Sequence, residues 1–343
     1  MISLLVVNYR SAALAADAIR SARAASAEAL QVVVVDNSCD AREAAALRDA
    51  ADVLIASETN RGYAGGINDG RRACTGDVIV VTNPDVVFAP GAIDALVGAL
   101  DRHTAVAGPA FFWDDALTWH LPPAELMTGA EKLDEVLASR SRVWFEQRDR
   151  RRILARLKFW ALETPTPVHA LSGAVLAIRA DEFDRADGFD ERFALYFEEN
   201  DFLRRVAALH RRIVYVPAAR ARHLYNQSAG QEADAAAVRY AQSELRYLEK
   251  WNGPFAARVL KRLERPLPSL PAQRLDGPIP VDREVVVEAS PLPSFATAAG
   301  CRTSHSIAIP DEIWTSYKAP VLYLRTIDPD TGRVLATYAR YRT

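Results

Sequence analysis

Ile2-Ser3-Leu4-Leu5-Val6-Val7 is an almost unbroken apolar run, and it stops abruptly at Asn8-Tyr9-Arg10. A strand with one wet face alternates apolar and polar residues, whereas a continuous run marks a strand covered on both faces, as in a parallel sheet. Working outward, residues 11–25 are Ala-rich and read as a helix that Ser11 is placed to cap. Val32-Val33-Val34-Val35 repeats the strand signal and ends at Asp36-Asn37-Ser38. A helix over 41–50, a short strand Val53-Leu54-Ile55, a glycine-rich loop, a helix over 65–74 and a strand Val78-Ile79-Val80-Val81 continue the alternation. Another helix follows Pro90-Gly91, and an apolar segment lies at Val106. Such alternation predicts an α/β domain with a mainly parallel central sheet. Ligands in these sheets sit beyond the carboxyl ends of the strands. The residues leaving the strands are therefore the candidates for binding: Asn8-Tyr9-Arg10, Asp36-Asn37-Ser38 and Asn83-Pro84-Asp85.

Past residue 110 the rhythm changes. Residues 130–163 read as helical and carry Arg140, Arg142, Arg148, Arg150, Arg151, Arg152, Arg156 and Lys158 among Trp144, Phe145, Ile153, Leu154, Leu157, Phe159 and Trp160. That mixture suits an anionic membrane surface, and equally a helix that packs its Trp and Leu side on a core and solvates its arginines. A strand at Ala174-Val175-Leu176-Ala177-Ile178, a helix over 198–209, a strand Ile213-Val214-Tyr215-Val216 and a long helix over 231–251 complete the first domain, placed at 1–252. Prolines 266, 268, 271, 278 and 280 make 253–275 a linker or strap. Residues 276–343 are β-patterned, with Val321-Leu322-Tyr323-Leu324-Arg325-Thr326-Ile327 leading through Asp328-Pro329-Asp330-Thr331-Gly332 into a second strand, a hairpin. This small β module is expected to fold by itself and lend no catalytic residue. Its aromatics Trp314, Tyr317, Tyr323, Tyr338 and Tyr341 serve as a core, or as faces for glycan stacking or a homo-oligomer contact.

Composition narrows the class. Half of the 343 residues are apolar and a quarter charged, and 42 basic against 44 acidic side chains leave a net charge of −2, with no cationic field for nucleic acid. Cys39, Cys74 and Cys301 are too few and too scattered for a disulfide scaffold or zinc module. The opening has no basic region ahead of its apolar run, and no run approaches the ~20 residues that cross a bilayer. A soluble cytoplasmic protein is the expectation. A phosphate-binding G-x-x-x-x-G-K-[ST] loop, a dinucleotide G-x-G-x-x-G turn and a G-x-S-x-G elbow are all missing.

Four stretches carry chemistry. Asn60-Arg61-Gly62-Tyr63-Ala64-Gly65-Gly66-Ile67-Asn68 offers glycines that admit a ligand to backbone amides, or simply a turn at a helix start. Asn83-Pro84-Asp85 sets a carboxylate on a stiff turn, suited to a divalent cation that bridges phosphates or to local backbone bonding. Phe197-Glu198-Glu199-Asn200-Asp201 packs three acids into a helix start, more than dipole complementation requires, and such a group can supply a general base. His223 leaves the last strand of the domain at the same edge as Asp85, with Arg222 beside it as a phosphate contact or a solvated charge.

In this order the motifs resemble the family-2 glycosyltransferases of the GT-A fold, above all the rhamnosyltransferase-like bacterial branch, over about residues 1–250. The resemblance implies that Asn8, Tyr9, Arg10 and Asp36 meet the nucleoside and that Asn60, Gly62, Gly66 and Asn68 flank the nucleotide. It makes Asn83-Pro84-Asp85 the counterpart of the D-x-D metal motif, with Asn83 and Asp85 on the diphosphate side. Leu171-Ser172-Gly173-Ala174 matches an acceptor-side segment, and Gly188-Phe189-Asp190-Glu191-Arg192-Phe193 the G-F-D-E-x-F element. His223 with Ser228 matches a late H-x(n)-S element, so Asp85 and His223 become the metal ligands, for Mn2+ or Mg2+. Glu199 falls at the catalytic base, Glu198 at its acidic neighbour and Asp201 at the trailing acid. The chain departs from the pattern twice: the metal motif lacks its first aspartate, and the usual aspartate base is a glutamate. The implied activity is an inverting transfer from a UDP- or dTDP-sugar to a hydroxyl of a glycan or lipid-linked saccharide, in bacterial cell-surface glycan synthesis at the inner face of the membrane. A nucleotidyltransferase and a non-catalytic nucleotide-sugar-binding partner are the alternatives, separable by what a nucleotide-sugar panel releases.

Overall fold

The structure, a computed structural model, describes residues 1–193, 195–224, 233–317 and 319–342, and the side chains of all these except 233–236. In chain order the elements are β1 (Ile2–Asn8), α1 (Ala12–Ala24), β2 (Leu30–Asp36), α2 (Ala41–Leu47), β3 (Val53–Ala56), α3 (Gly62–Arg71), β4 (Val78–Thr82), β5 (Val86–Phe88), α4 (Ala92–Gly98) and β6 (Thr104–Phe112). Then come α5 (Gly129–Ala138), α6 (Arg142–Trp160), β7 (Thr166–Pro167), β8 (Val175–Arg179), α7 (Ala180–Arg185), α8 (Glu198–Ala208), β9 (Arg212–His223) and α9 (Ala233–Asn252). The last are α10 (Pro254–Leu263), β10 (Gln273–Arg274), β11 (Val285–Ser290), β12 (Ala299–Thr303), α11 (Asp311–Ser316), β13 (Val321–Ile327) and β14 (Val334–Tyr341). They form two compact units. The first comprises Met1–Phe111, Ala124–Leu126 and Glu163–Tyr247; the second comprises Phe112–Pro123, Met127–Leu162 and Leu248–Thr343.

The first unit is an α/β layer on one sheet of order β3-β2-β1-β4-β8-β6-β9-β5, with β7 on β9. Its first four strands are parallel, and β1 pairs with both β2 and β4, so all seven of its residues are buried. Leu4, Val6, Val32 and Val34 meet Ile19 of α1 and Leu47 of α2 in the main core. Beyond β4 the described neighbours run antiparallel: β8 against β4 and β6, and β9 against β5 and β7. The sheet is thus mixed, with a parallel run across β3-β2-β1-β4 and antiparallel pairing on both sides of β8. Apolar runs report burial on two faces and say nothing of the neighbour's direction, which is why the mixed half reads from sequence like the parallel one.

The second unit is built on a five-stranded sheet of order β10-β14-β13-β11-β12, including the expected β13–β14 hairpin, whose turn is closed by the Thr331 amide on Asp328 (2.9 Å) with Gly332 at φ 66°. Residues 127–162 group with this sheet rather than with the residues on either side of them. Ile153 of α6 packs with Val286 and Ile327, flanked by Leu157, Trp160 and Val334. Beside it Arg156 makes two bonds to Glu288 (2.7 and 3.0 Å), and Arg325 bonds Glu288 (2.8 Å) and Asp149 (2.7 and 3.0 Å). Glu288 and Arg325 are wholly buried. Arg148 and Arg151 share Asp134, Arg142 meets Glu146, and Arg152 reaches the Ala296 carbonyl. Arg148 and Arg156 are therefore buried and paired, the core-packing alternative for that side of α6, while Arg142, Arg150, Arg151 and Lys158 stay exposed.

Candidate active site

The strand ends of β1 and β2 meet in register, Asn8 opposite Asp36. The buried Asn8 amide donates to Asp36 Oδ1 (2.9 Å), Glu43 Oε2 (3.1 Å) and Ser38 Oγ (3.3 Å), and its Oδ1 accepts from the Ser11 hydroxyl (2.9 Å). Ser11 thus makes no side-chain cap on α1; the Ala12 amide is taken by Glu43 instead (2.9 Å). Asn8 and Asp36 hold the two ends together, while Tyr9 and the exposed Arg10, whose guanidinium lies 5.1 Å from the Tyr9 ring centre, form the outer surface. Arg10 (φ 53°) and Cys39 (φ 54°) turn left-handed just past these ends, a strain that only a determined local structure maintains.

The glycine stretch is mostly helix. Gly62, at φ 71°, opens α3, and its amide donates to Asn60 Oδ1 (2.8 Å). Gly66 lies against β1, where a Cβ would come within 2.7 Å of Val7 Cγ1, so helix-to-sheet packing requires a glycine here. Asn68 has its amide on the Phe189 carbonyl (2.8 Å) and Glu191 (2.9 Å) and accepts from the Phe189 amide (2.9 Å). Both its polar atoms are committed to the Gly188–Glu191 segment. Asn60 is exposed and Gly62 half-buried beside it. Asn37 donates to the Gly62 carbonyl (2.8 Å), and its buried Oδ1 has no partner among the described residues.

The chemistry concentrates one strand further along. After β4 the turn Asn83-Pro84-Asp85 is held by the Asn83 amide on the Ala174 carbonyl (2.8 Å). β5 then pairs with the end of β9, Val86 opposite His223. This brings His223 Nε2 to 3.3 Å from Asp85 Oδ1, both nearly buried at 12% and 6% side-chain exposure. Phe111 leans on the imidazole with ring centres 5.5 Å apart. Ser228, the other half of the late motif, lies outside the described residues.

Across from this pair, Tyr63 donates to the Gly173 carbonyl (2.8 Å), and a Cβ on Gly173 would sit 3.2 Å from that of Glu199. Burial raises the Tyr63 phenol well above its ordinary pKa, and the charges of Glu198, Glu199 and Asp85 add to this, so all four share one corner. Burial likewise raises both neighbouring acids. Glu198 is pushed furthest, by burial and then by the charge of Glu199; Glu199 is raised by burial and partly relieved by bonds from backbone amides and the Asn200 amide (3.2 Å). Burial thus disfavours the charged form of both acids; Glu199 has the bonds that relieve it, whereas Glu198 has a buried Oε2 with no partner among the described residues.

Asp201 has a different task. It is wholly buried and bound by Arg205 (2.9 Å), which also bonds the carbonyls of Ala186 and Gly188. Arg205 is thereby no counter-charge for Glu199, and Arg204 turns to Tyr247 (3.4 Å). Three features were missed from the sequence. Tyr63 was quoted only as part of a loop, and Glu43 not at all. Tyr196 (φ 67°) and Phe197 (φ 68°) both turn left-handed to launch α8, held by Tyr240 and Tyr247 of α9. The strain, of order 1–3 kcal/mol for each residue, falls where the acids are aimed.

Residues 3–171 match the sequence model described as Glycosyl transferase family 2. N-acetylglucosaminyl-diphospho-decaprenol L-rhamnosyltransferase of Mycobacterium tuberculosis, in strains CDC 1551 / Oshkosh and ATCC 25618 / H37Rv, is 29% identical over 221 residues, which cover 59% of this chain and 69% of the relative. Among solved structures, mannosyltransferase PcManGT from Pyrobaculum calidifontis, in complex with GDP-Man and Mn2+, matches with a TM-score of 0.50 at 16% identity, covering 76% of this chain and 69% of that one. At that identity the likeness concerns the fold.

Proposed function

We propose, from the match of residues 3–171 to the family-2 glycosyltransferases, that the chain moves a sugar from a nucleotide-diphosphate donor, UDP- or dTDP-linked, to the hydroxyl of a lipid-linked saccharide with inversion. The mycobacterial relative, a rhamnosyltransferase named for a diphospho-decaprenol acceptor, supports that acceptor class. The observation that carries the proposal is the corner where Asp85 and His223 stand 3.3 Å apart with Tyr63, Glu198 and Glu199 beside them.

The donor set, a hard carboxylate oxygen and an imidazole nitrogen, fits a divalent cation. Asp85 and His223 would hold Mn2+ or Mg2+, whose chemistry when bound is to neutralise charge building on the leaving diphosphate. Tyr9, Arg10 and the rim at Asn60–Gly62 receive the nucleotide, with Asn8 and Asp36 keeping the strand ends in place. Glu199 takes the proton from the acceptor hydroxyl as that oxygen displaces the diphosphate in line. Glu198, protonated, leaves Glu199 without a charged competitor and offers a hydrogen bond to an acceptor hydroxyl. Catalysis resides in residues 1–252, with no catalytic residue from 276–343.

A thermal-shift series tests the donor class. UDP or dTDP is expected to raise Tm, and to raise it more with Mn2+ or Mg2+. Asp85→Asn is expected to weaken the metal-dependent part by at least ~10–100-fold in affinity, and His223→Ala by less, since a neutral nitrogen ligand contributes less than a hard anion. No shift with any nucleoside diphosphate would end the proposal.

The pH profile gives an independent check. Glu199 works as a base only when ionised, and burial holds its pKa above the ordinary carboxylate range. Turnover at saturating donor is therefore expected to fall as pH drops through that raised value, with full activity on its alkaline side. An acid limb at the ordinary glutamate position would show that Glu199 is not the group being titrated.

A further inference from the structure

Helix α10 wears its apolar side outward. Of its 10 residues only Ala257 is buried, while Phe255 is 82%, Val259 40% and Leu263 39% exposed. Spaced four apart, these three form one line along the helix. Exposed Arg258 and Arg262 lie along one flank of that line, and Arg265 follows past its end. Lys261 is turned to Glu264 (2.6 Å), and Arg258 reaches Glu249 (3.2 Å). Residues 254–265 thus carry Arg258, Lys261, Arg262 and Arg265 against the single acid Glu264, in a chain of net charge −2.

We propose that this face docks on an anionic lipid surface, with α10 lying in the interfacial plane, Phe255, Val259 and Leu263 entering the acyl boundary and the arginines meeting lipid phosphates. The charge on the rim decides the occupant. A second copy meeting this face across a two-fold axis would set Arg258 and Arg262 against their own duplicates. An anionic bilayer supplies the opposite charge and takes up the three side chains together. In α6, by contrast, Arg148 and Arg156 are buried on Asp134 and Glu288, and the exposed Arg142 and Arg151 are paired with Glu146 and Asp134. The inference rests on the lipid-linked acceptor reading for its purpose, whereas its test needs neither donor nor acceptor.

The full chain is sedimented with neutral phosphatidylcholine vesicles and with vesicles carrying about 30% phosphatidylglycerol. Binding to the anionic vesicles is expected, weakening as salt is raised. Phe255→Asp is expected to lower the partition coefficient about tenfold. Arg262→Glu with Arg265→Glu should remove the salt-sensitive part. These side chains are exposed, so Tm and the nucleotide-induced shift are expected to stay as in the parent, separating lost docking from lost folding or lost donor binding. Equal sedimentation of Phe255→Asp and parent, no binding to anionic vesicles, or equal binding to neutral ones would overturn the proposal. A concentration-dependent dimer abolished by Phe255→Asp would overturn it in favour of a second copy.

Discussion

Glutamine in place of Glu199 is expected to lower turnover by about 10²–10⁴-fold with donor affinity little changed, the effect of removing a general base from a step that nucleotide binding does not share. The geometry separates it from its neighbours. Glu198→Gln exchanges a protonated acid for an amide of similar shape and is expected to cost less turnover. Asp201→Asn withdraws the charge that Arg205 answers and is expected to lower Tm, because Arg205 ties Asp201 to the carbonyls of Ala186 and Gly188. Turnover at saturating donor, nucleotide affinity and Tm, measured for all three variants, distinguish these roles. If Glu199→Gln stays active while Asp201→Asn is dead, folded and still binds donor, the base is Asp201.

The second large effect is on stability. Glu288 stands wholly buried between Arg156 and Arg325, and the two guanidiniums hold its carboxyl below the ordinary range despite burial that works the other way. Glu288→Ala leaves two buried cations with one fewer counter-charge and is expected to cost about 3–5 kcal/mol in denaturant unfolding. Replacing Arg156, Glu288 and Arg325 together by apolar residues of similar volume is expected to recover much of that loss, since the desolvation cost disappears with the charges. A single Glu288→Ala variant within about 0.5 kcal/mol of the parent, the usual effect of surface changes, would show that the ion group is solvated.

The half of the fold that a local pattern can express was legible. The run Ile2–Val7 predicts a central strand, and β1 lies between β2 and β4. Asp85 and His223 were paired because each leaves a strand at one edge, and the β5–β9 register makes them neighbours. What escaped depends on distant partners. The loop's own residues do not reveal that Gly66 packs on Val7 or that Asn68 bonds Phe189. Arg148 and Arg156 of α6 look solvated until Asp134 and Glu288 are found. One miss had a local signal: Asp201 and Arg205 are four apart on a helix, the spacing of an ion pair. The left-handed turn at Tyr196-Phe197 had none, since neither residue favours it and aromatics from distant α9 pack against it.

The ion group in the second unit also bears on the order in which the chain is made. Arg156 precedes Glu288 by 132 residues, so at ~5–20 residues per second a nascent chain carries α6 for roughly 7–26 s before its counter-ion emerges. During that interval Arg156 and Ile153 have no sheet to cover them. The helix gains its cover only when β11 and β13, which carry Val286, Glu288, Arg325 and Ile327, have been made.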